Sequence, residues 1–176
     1  AIQQAGAVIP ESTLAPILRA HLPTAPNLAL IGSWAQHVAG SRRSVDRMLR
    51  TAFSVNCPPG ALHTALARID GTKLFVTTNY DDLLEQALEP RRPHVLVDRG
   101  EKGLWVSVFG EKLQPVSPTG KELYELLDDP RKQTPSAPII FKMHGSVDKI
   151  NPQNDSYLVT EEDYVDFLGR SSDSYI

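Results

Sequence analysis

Two short apolar runs, Leu74-Phe75-Val76 and Ile139-Ile140-Phe141, each end directly in polar residues. The first runs into Thr77-Thr78-Asn79-Tyr80-Asp81 and the second into Lys142-Met143-His144-Gly145. Runs of this length, built from β-branched and aromatic residues, predict buried strands. His94-Val95-Leu96-Val97 predicts another, as does Leu104-Trp105-Val106-Ser107-Val108 between flanking glycines. Elsewhere the apolar positions recur at helical spacing. Leu14, Ile17, Leu18 and Leu22 follow the start signal Pro10-Glu11-Ser12-Thr13, and Leu28, Ile31, Trp34, Ala35 and Val38 lead to a stop near Gly40. Val45, Met48, Leu49 and Ala52 define a further helix, and Leu62, Leu66 and Ile69 another that ends before Gly71. Leu83, Leu84, Ala87 and Leu88 form a helix stopped by Pro90 and the basic pair Arg91-Arg92. Near the carboxyl end, Tyr157-Leu158-Val159 predicts a short strand. Thr160 caps a helix over residues 161–168, with Asp163 at the reciprocal position and Tyr164, Phe167 and Leu168 on its apolar face.

Strands alternating with helices predict an α/β, Rossmann-like parallel sheet flanked by helices, with a smaller helical lobe. Residues 110–138, rich in Pro, Gly and charge around a helix with Leu123, Leu126 and Leu127, are expected to be an insertion or lid. The chain is expected to form one domain over residues 1–176, and its abrupt ends suit part of a longer protein. Ligands of such sheets bind beyond the carboxyl ends of the strands. That places Asn79 and His144 at one cleft.

Composition narrows the possibilities. The net charge of -3, with 22% charged residues of both signs, provides no basic stripe for nucleic acid. The local patch of Arg42, Arg43, Arg47 and Arg50 fits a solvated helix face. Cys57 is the single cysteine, so a disulfide framework and a cysteine zinc site are excluded, and a reducing cytoplasm is the expected location. No apolar stretch approaches the ~20 residues that span a bilayer.

A neutral histidine titrating near ~6.5 can accept a proton at physiological pH, which makes His144 the candidate general base. A carboxamide accepts and donates at once, so Asn79 can orient water or ribose hydroxyls, and Asp81 can accept from a ligand amide. The plainer reading makes Asn79 or Asp81 a cap for the next helix and His144-Gly145 a core residue with a turn glycine. The other histidines sit on helix edges or a strand start and are expected to be structural.

Phe75-Val76-Thr77-Thr78-Asn79-Tyr80-Asp81-Asp82-Leu83-Leu84-Glu85 and Phe141-Lys142-Met143-His144-Gly145-Ser146 resemble the sirtuin-like domains of bacterial NAD hydrolases that act in antiviral defence. In sirtuins the first motif reads Thr-Gln-Asn-Ile-Asp, whose Asn and Asp bind the ribose and nicotinamide ends of NAD, and a His-Gly motif supplies the base. The resemblance implies those roles for Asn79, Asp81 and His144. It also implies NAD contacts from Thr77, Thr78 and Gly145, and from Gly6 and Pro10 in the stretch Ala5-Gly6-Ala7-Val8-Ile9-Pro10, which resembles the segment after the family's glycine-rich turn. Protein-deacylating sirtuins usually carry a four-cysteine zinc module after His-Gly. Here no cysteine follows His144, so the resemblance favours a zinc-free NAD glycohydrolase over a deacylase or a non-catalytic NAD or ADP-ribose binder. It further implies an NAD-depleting effector in antiphage defence, controlled by homo-oligomerisation or by a sensor domain or partner.

Overall fold

The computed structural model describes residues 27–71, 74–117 and 137–174. The expected helix around Leu14–Leu22, the expected contacts Gly6 and Pro10, and the expected helix with Leu123 lie outside the described residues. The described residues fall into two compact units, one of residues 27–49 with 158–174, the other Arg50–Tyr157.

The second unit holds a five-stranded sheet. β1 (Leu74–Thr77), β2 (His94–Asp98), β3 (Leu104–Val108), β4 (Gln114–Pro115) and β5 (Ile139–Lys142) lie in the order β1-β5-β2-β3-β4. β5 pairs parallel with both neighbours, aligning Lys142 with Thr77 on one side and Val97 on the other. β3 and β4 then add antiparallel. The fold is α/β and Rossmann-like as expected, with a sheet that is parallel on one side and antiparallel on the other. β4 escapes a search for apolar alternation because it is two exposed residues, one of them a proline of the kind edge strands tolerate.

Residues in register on neighbouring parallel strands share a face, so Phe75, Ile140 and Val95 point the same way. Phe75 and Ile140 pack with Leu88 of α4 (Leu83–Leu88), and Leu66 and Ala67 of α3 (Ala61–Ala67) close the cluster. Leu88 and Ile140 are fully buried, each stabilising the fold by about 1.5–3 kcal/mol on leaving water. Val95, Val97 and Leu113 make a second cluster with Trp105 and Phe109. A short antiparallel pair, β6 (Gly145–Ser146) and β7 (Ser156–Tyr157), follows β5.

In the first unit, Asn27 caps α1 (Leu28–Ala39) by accepting the Ala29 N–H at 2.9 Å, and Gly40 at φ 71° ends it. α5 (Glu161–Ser174) packs on α1, with the Glu161 N–H donating to Ser33 Oγ at 2.9 Å. Gly32 is required there, since a Cβ would strike the Val159 carbonyl. The expected capping box forms: the Asp163 N–H donates to Thr160 Oγ1 at 3.1 Å and the Thr160 N–H to Asp163 Oδ2 at 2.9 Å. The same Oδ2 takes the Val159 N–H, so the strand ends at Tyr157 instead of running to Val159 as the sequence suggested. Burial pushes the Asp163 carboxyl up. The Arg42 guanidinium, at 2.7 and 2.8 Å, and the two N–H donors outweigh that and hold it below the usual carboxylate range. Arg42 lies at the start of α2 (Arg42–Phe53) and also pairs with Asp46, while Arg50, toward its end, pairs with Asp155 at 2.7 Å. Arg42 and Arg50 of the patch thus spend their charge on the protein's own carboxylates. Among the described residues no helix is long and apolar enough to cross a membrane.

Candidate functional site at the carboxyl ends of the parallel strands

Because β1, β5 and β2 run parallel and in register, their carboxyl ends share one edge of the sheet. There the chain leaves β1 into Thr78-Asn79 and β5 into Met143-His144, while β2 ends at Asp98 and leads into Arg99. The first two segments are joined directly. The Met143 N–H donates to the Thr77 carbonyl at 3.1 Å and the Val147 N–H to the Tyr80 carbonyl at 3.0 Å. Asn79 and His144 therefore follow strand ends whose backbones are hydrogen-bonded to each other.

The turn that carries Asn79 is held on both sides. Thr77 Oγ1 accepts the Asn79 N–H at 3.1 Å. The Tyr80 ring lies edge-on between Phe53 and Tyr157, with centroids 5.3 and 5.4 Å away. Asn79 itself is exposed, and among the described residues nothing takes up its carboxamide. Asp81 spends one carboxylate oxygen on the Leu83 N–H at 3.1 Å, so the helix-capping reading holds for that oxygen. Thr78 is exposed and Thr77 half-buried.

His144 is partly buried. Burial lowers its pKa below the ordinary 6.5, and the nearby Asp98 carboxylate opposes that shift without cancelling it. The imidazole is thus held neutral at physiological pH, the form that accepts a proton. Gly145 follows with φ 90°, and a Cβ there would run into the Ser156 carbonyl and hydroxyl. The glycine of His-Gly is set by this β6 to β7 crossing. Gly145→Ala is expected to cost about 1–3 kcal/mol in backbone strain alone, with the collision adding to it. A denaturant midpoint unchanged from wild type would contradict this.

Three groups at this edge carried no weight in the sequence. Lys142 is 2% exposed; its ammonium donates to Glu85 Oε1 at 2.7 Å and to the Asp81 carbonyl. Asp98 accepts the Gly100 N–H at 2.8 Å and lies within electrostatic reach of His144. Arg99 is buried over the Trp105 ring at 4.2 Å and donates to the Gln153 carbonyl at 3.0 Å. Lys142 ends an otherwise apolar strand and Asp98 directly follows the apolar Val95–Val97 run, yet neither position says which partner takes up its charge. A cleft of about 210 Å³ opens on the sheet face over Val95, Val97, Phe109 and Leu113, with Lys142 in its wall; Asn79 and His144 are not part of its lining.

The chain matches the SIR2-like domain family over residues 73–176, a span that includes both strand-ending motifs and α5. It belongs to that family. SIR2-like domains bind NAD and their members are NAD-dependent enzymes, so NAD-related chemistry is the setting in which Asn79 and His144 are to be read. No curated protein matches the chain at a significant level.

Proposed function

We propose that this SIR2-like domain hydrolyses NAD, cleaving the bond between nicotinamide and ribose to give nicotinamide and ADP-ribose. The observation that carries the proposal is an exposed carboxamide with no partner among the described residues and a histidine held neutral, following strand ends whose backbones are hydrogen-bonded to each other. This donor and acceptor set suits ribose hydroxyls and an attacking water. Asn79 holds the water and the ribose, and Asp81 accepts from the carboxamide of nicotinamide with the oxygen that Leu83 leaves open. As the bond from the ribose C1′ to the ring nitrogen breaks, its electron pair passes to the ring and neutralises the pyridinium. The sugar acquires oxocarbenium character, as in glycoside hydrolysis. Water adds to C1′ and loses its proton to His144. Thr77, Thr78 and Gly145 shape the same edge, and Gly6 and Pro10 are assigned to the nucleotide by family resemblance alone.

By the family resemblance, the proposal extends to a cytoplasmic antiphage effector governed by self-assembly or by a sensor domain or partner.

The test is nicotinamide and ADP-ribose release from NAD by the full chain, followed by chromatography. Asn79→Ala is expected to lower the rate by about 10²- to 10³-fold, the usual cost of one positioned polar group. A folded Asn79→Ala protein at full rate removes the assigned role. Acylated ADP-ribose formed with an acetyl-lysine peptide, in place of free ADP-ribose, would assign deacylation instead.

A further inference from the structure

The Lys142 ammonium belongs to neither the base nor the binding groups, yet it is almost completely buried at the end of β5, two residues before His144. Burying a cation is unfavourable unless hydrogen bonds and a counter-charge compensate. Here Glu85, 3% exposed in α4, provides the charge at 2.7 Å, and the backbone carbonyl of Asp81 takes a second hydrogen bond. Asp81 closes the turn that begins at Asn79, and Glu85 lies in the first turn of α4, which that turn leads into. One ammonium therefore holds the exit of the Asn79 turn and the start of α4 against the strand that delivers His144. The backbone bonds from Met143 to Thr77 and from Val147 to Tyr80 join the two segments around it.

We propose that Lys142 is a positioning residue: through Glu85 and the Asp81 carbonyl it sets the distance between the Asn79 carboxamide and the His144 imidazole. This rests on the NAD hydrolase reading for its catalytic consequence and on the geometry alone for its structural one. A methionine of similar length at position 142 keeps the volume but offers no donor to the Asp81 carbonyl. The single substitution also strands the Glu85 carboxylate, so the informative variant is the double one, Glu85→Gln with Lys142→Met, which removes both charges and still lacks the tether.

Three readouts on the full chain test this. The denaturant midpoint shows whether the double variant is folded. Backbone amide exchange, followed by mass spectrometry, is expected to speed up over residues 78–83 while β2 keeps its wild-type protection. NAD turnover is expected to fall by about 10²-fold in kcat with KM little changed, the cost of misplacing reacting groups by about 1 Å. Lys142→Arg in the Glu85-containing chain, which keeps charge and donors, is expected to recover part of that kcat. Exchange at wild-type rate over residues 78–83 overturns the tether. Faster exchange with unchanged kcat overturns its role in positioning the reacting groups. If the wild-type chain releases no nicotinamide, the hydrolase reading fails separately, and the exchange result still decides whether Lys142 holds the turn.

Discussion

His144→Ala in the full chain is expected to lower nicotinamide release from NAD by about 10²- to 10⁴-fold, the range that a positioned general base contributes. The loss should appear in kcat more than in KM, because the imidazole acts on a proton in flight and not on the bound dinucleotide. In the proposed role the same group fixes the pH dependence. His144 accepts a proton only when neutral, and burial holds its pKa below 6.5 against the pull of Asp98. The rate should therefore be level from pH 7 upward and fall on acidification through a midpoint below 6.5. Asp98→Asn removes the group that favours the imidazolium, so the acid limb should move to still lower pH. An acid limb centred above 6.5, or one unmoved in Asp98→Asn, would remove His144 from the role of base. A His144→Ala protein that keeps the wild-type rate would do the same more directly.

The second large effect concerns stability. Lys142→Met is expected to destabilise the protein by about 3–5 kcal/mol, because it leaves the Glu85 carboxylate buried with its cationic partner gone. For comparison, the exposed Arg92–Glu111 pair at 3.2 Å should contribute about 0–1 kcal/mol, and its removal should be hard to detect. Urea denaturation of the two variants side by side measures the contrast. Restoring much of the lost stability with Glu85→Gln in the Lys142→Met background would identify the stranded charge as the cause. Equal and small losses in both variants would show that the buried pair is not what holds β5 to α4.

Most elements were legible because each announces itself locally. α1 runs to Gly40 and α2 follows the apolar period that marked it, while α3 stops at Ala67 and leaves Ile69 outside. The Thr160–Asp163 box forms as its spacing requires. Misreadings came where a distant or competing partner decided the outcome. Leu158 and Val159 have strand-like side chains, yet the Val159 N–H goes to the Asp163 carboxylate and leaves the ladder. β4 has no apolar signature and exists because β3 offers it an edge. In the proposed site, Asn79, Asp81 and His144 stand out in the sequence as polar residues placed directly after apolar runs. Lys142, Glu85 and Asp98 were not, because a charged residue in an apolar run carries no sign of which partner will neutralise it.

The sequence by itself determined the type of most elements and the polar residues that follow the strands, since these follow from periodicity, caps and turn residues over a few positions. Only the tertiary structure decided that β5 inserts between β1 and β2, which brings the ends of three strands to one edge. It also decided that Lys142 meets Glu85 across 57 positions of chain and that Gly145 must pass close to Ser156. Strand order and buried charge pairing depend on contacts between segments far apart in the chain, and no local pattern of side chains specifies which segment will be the neighbour.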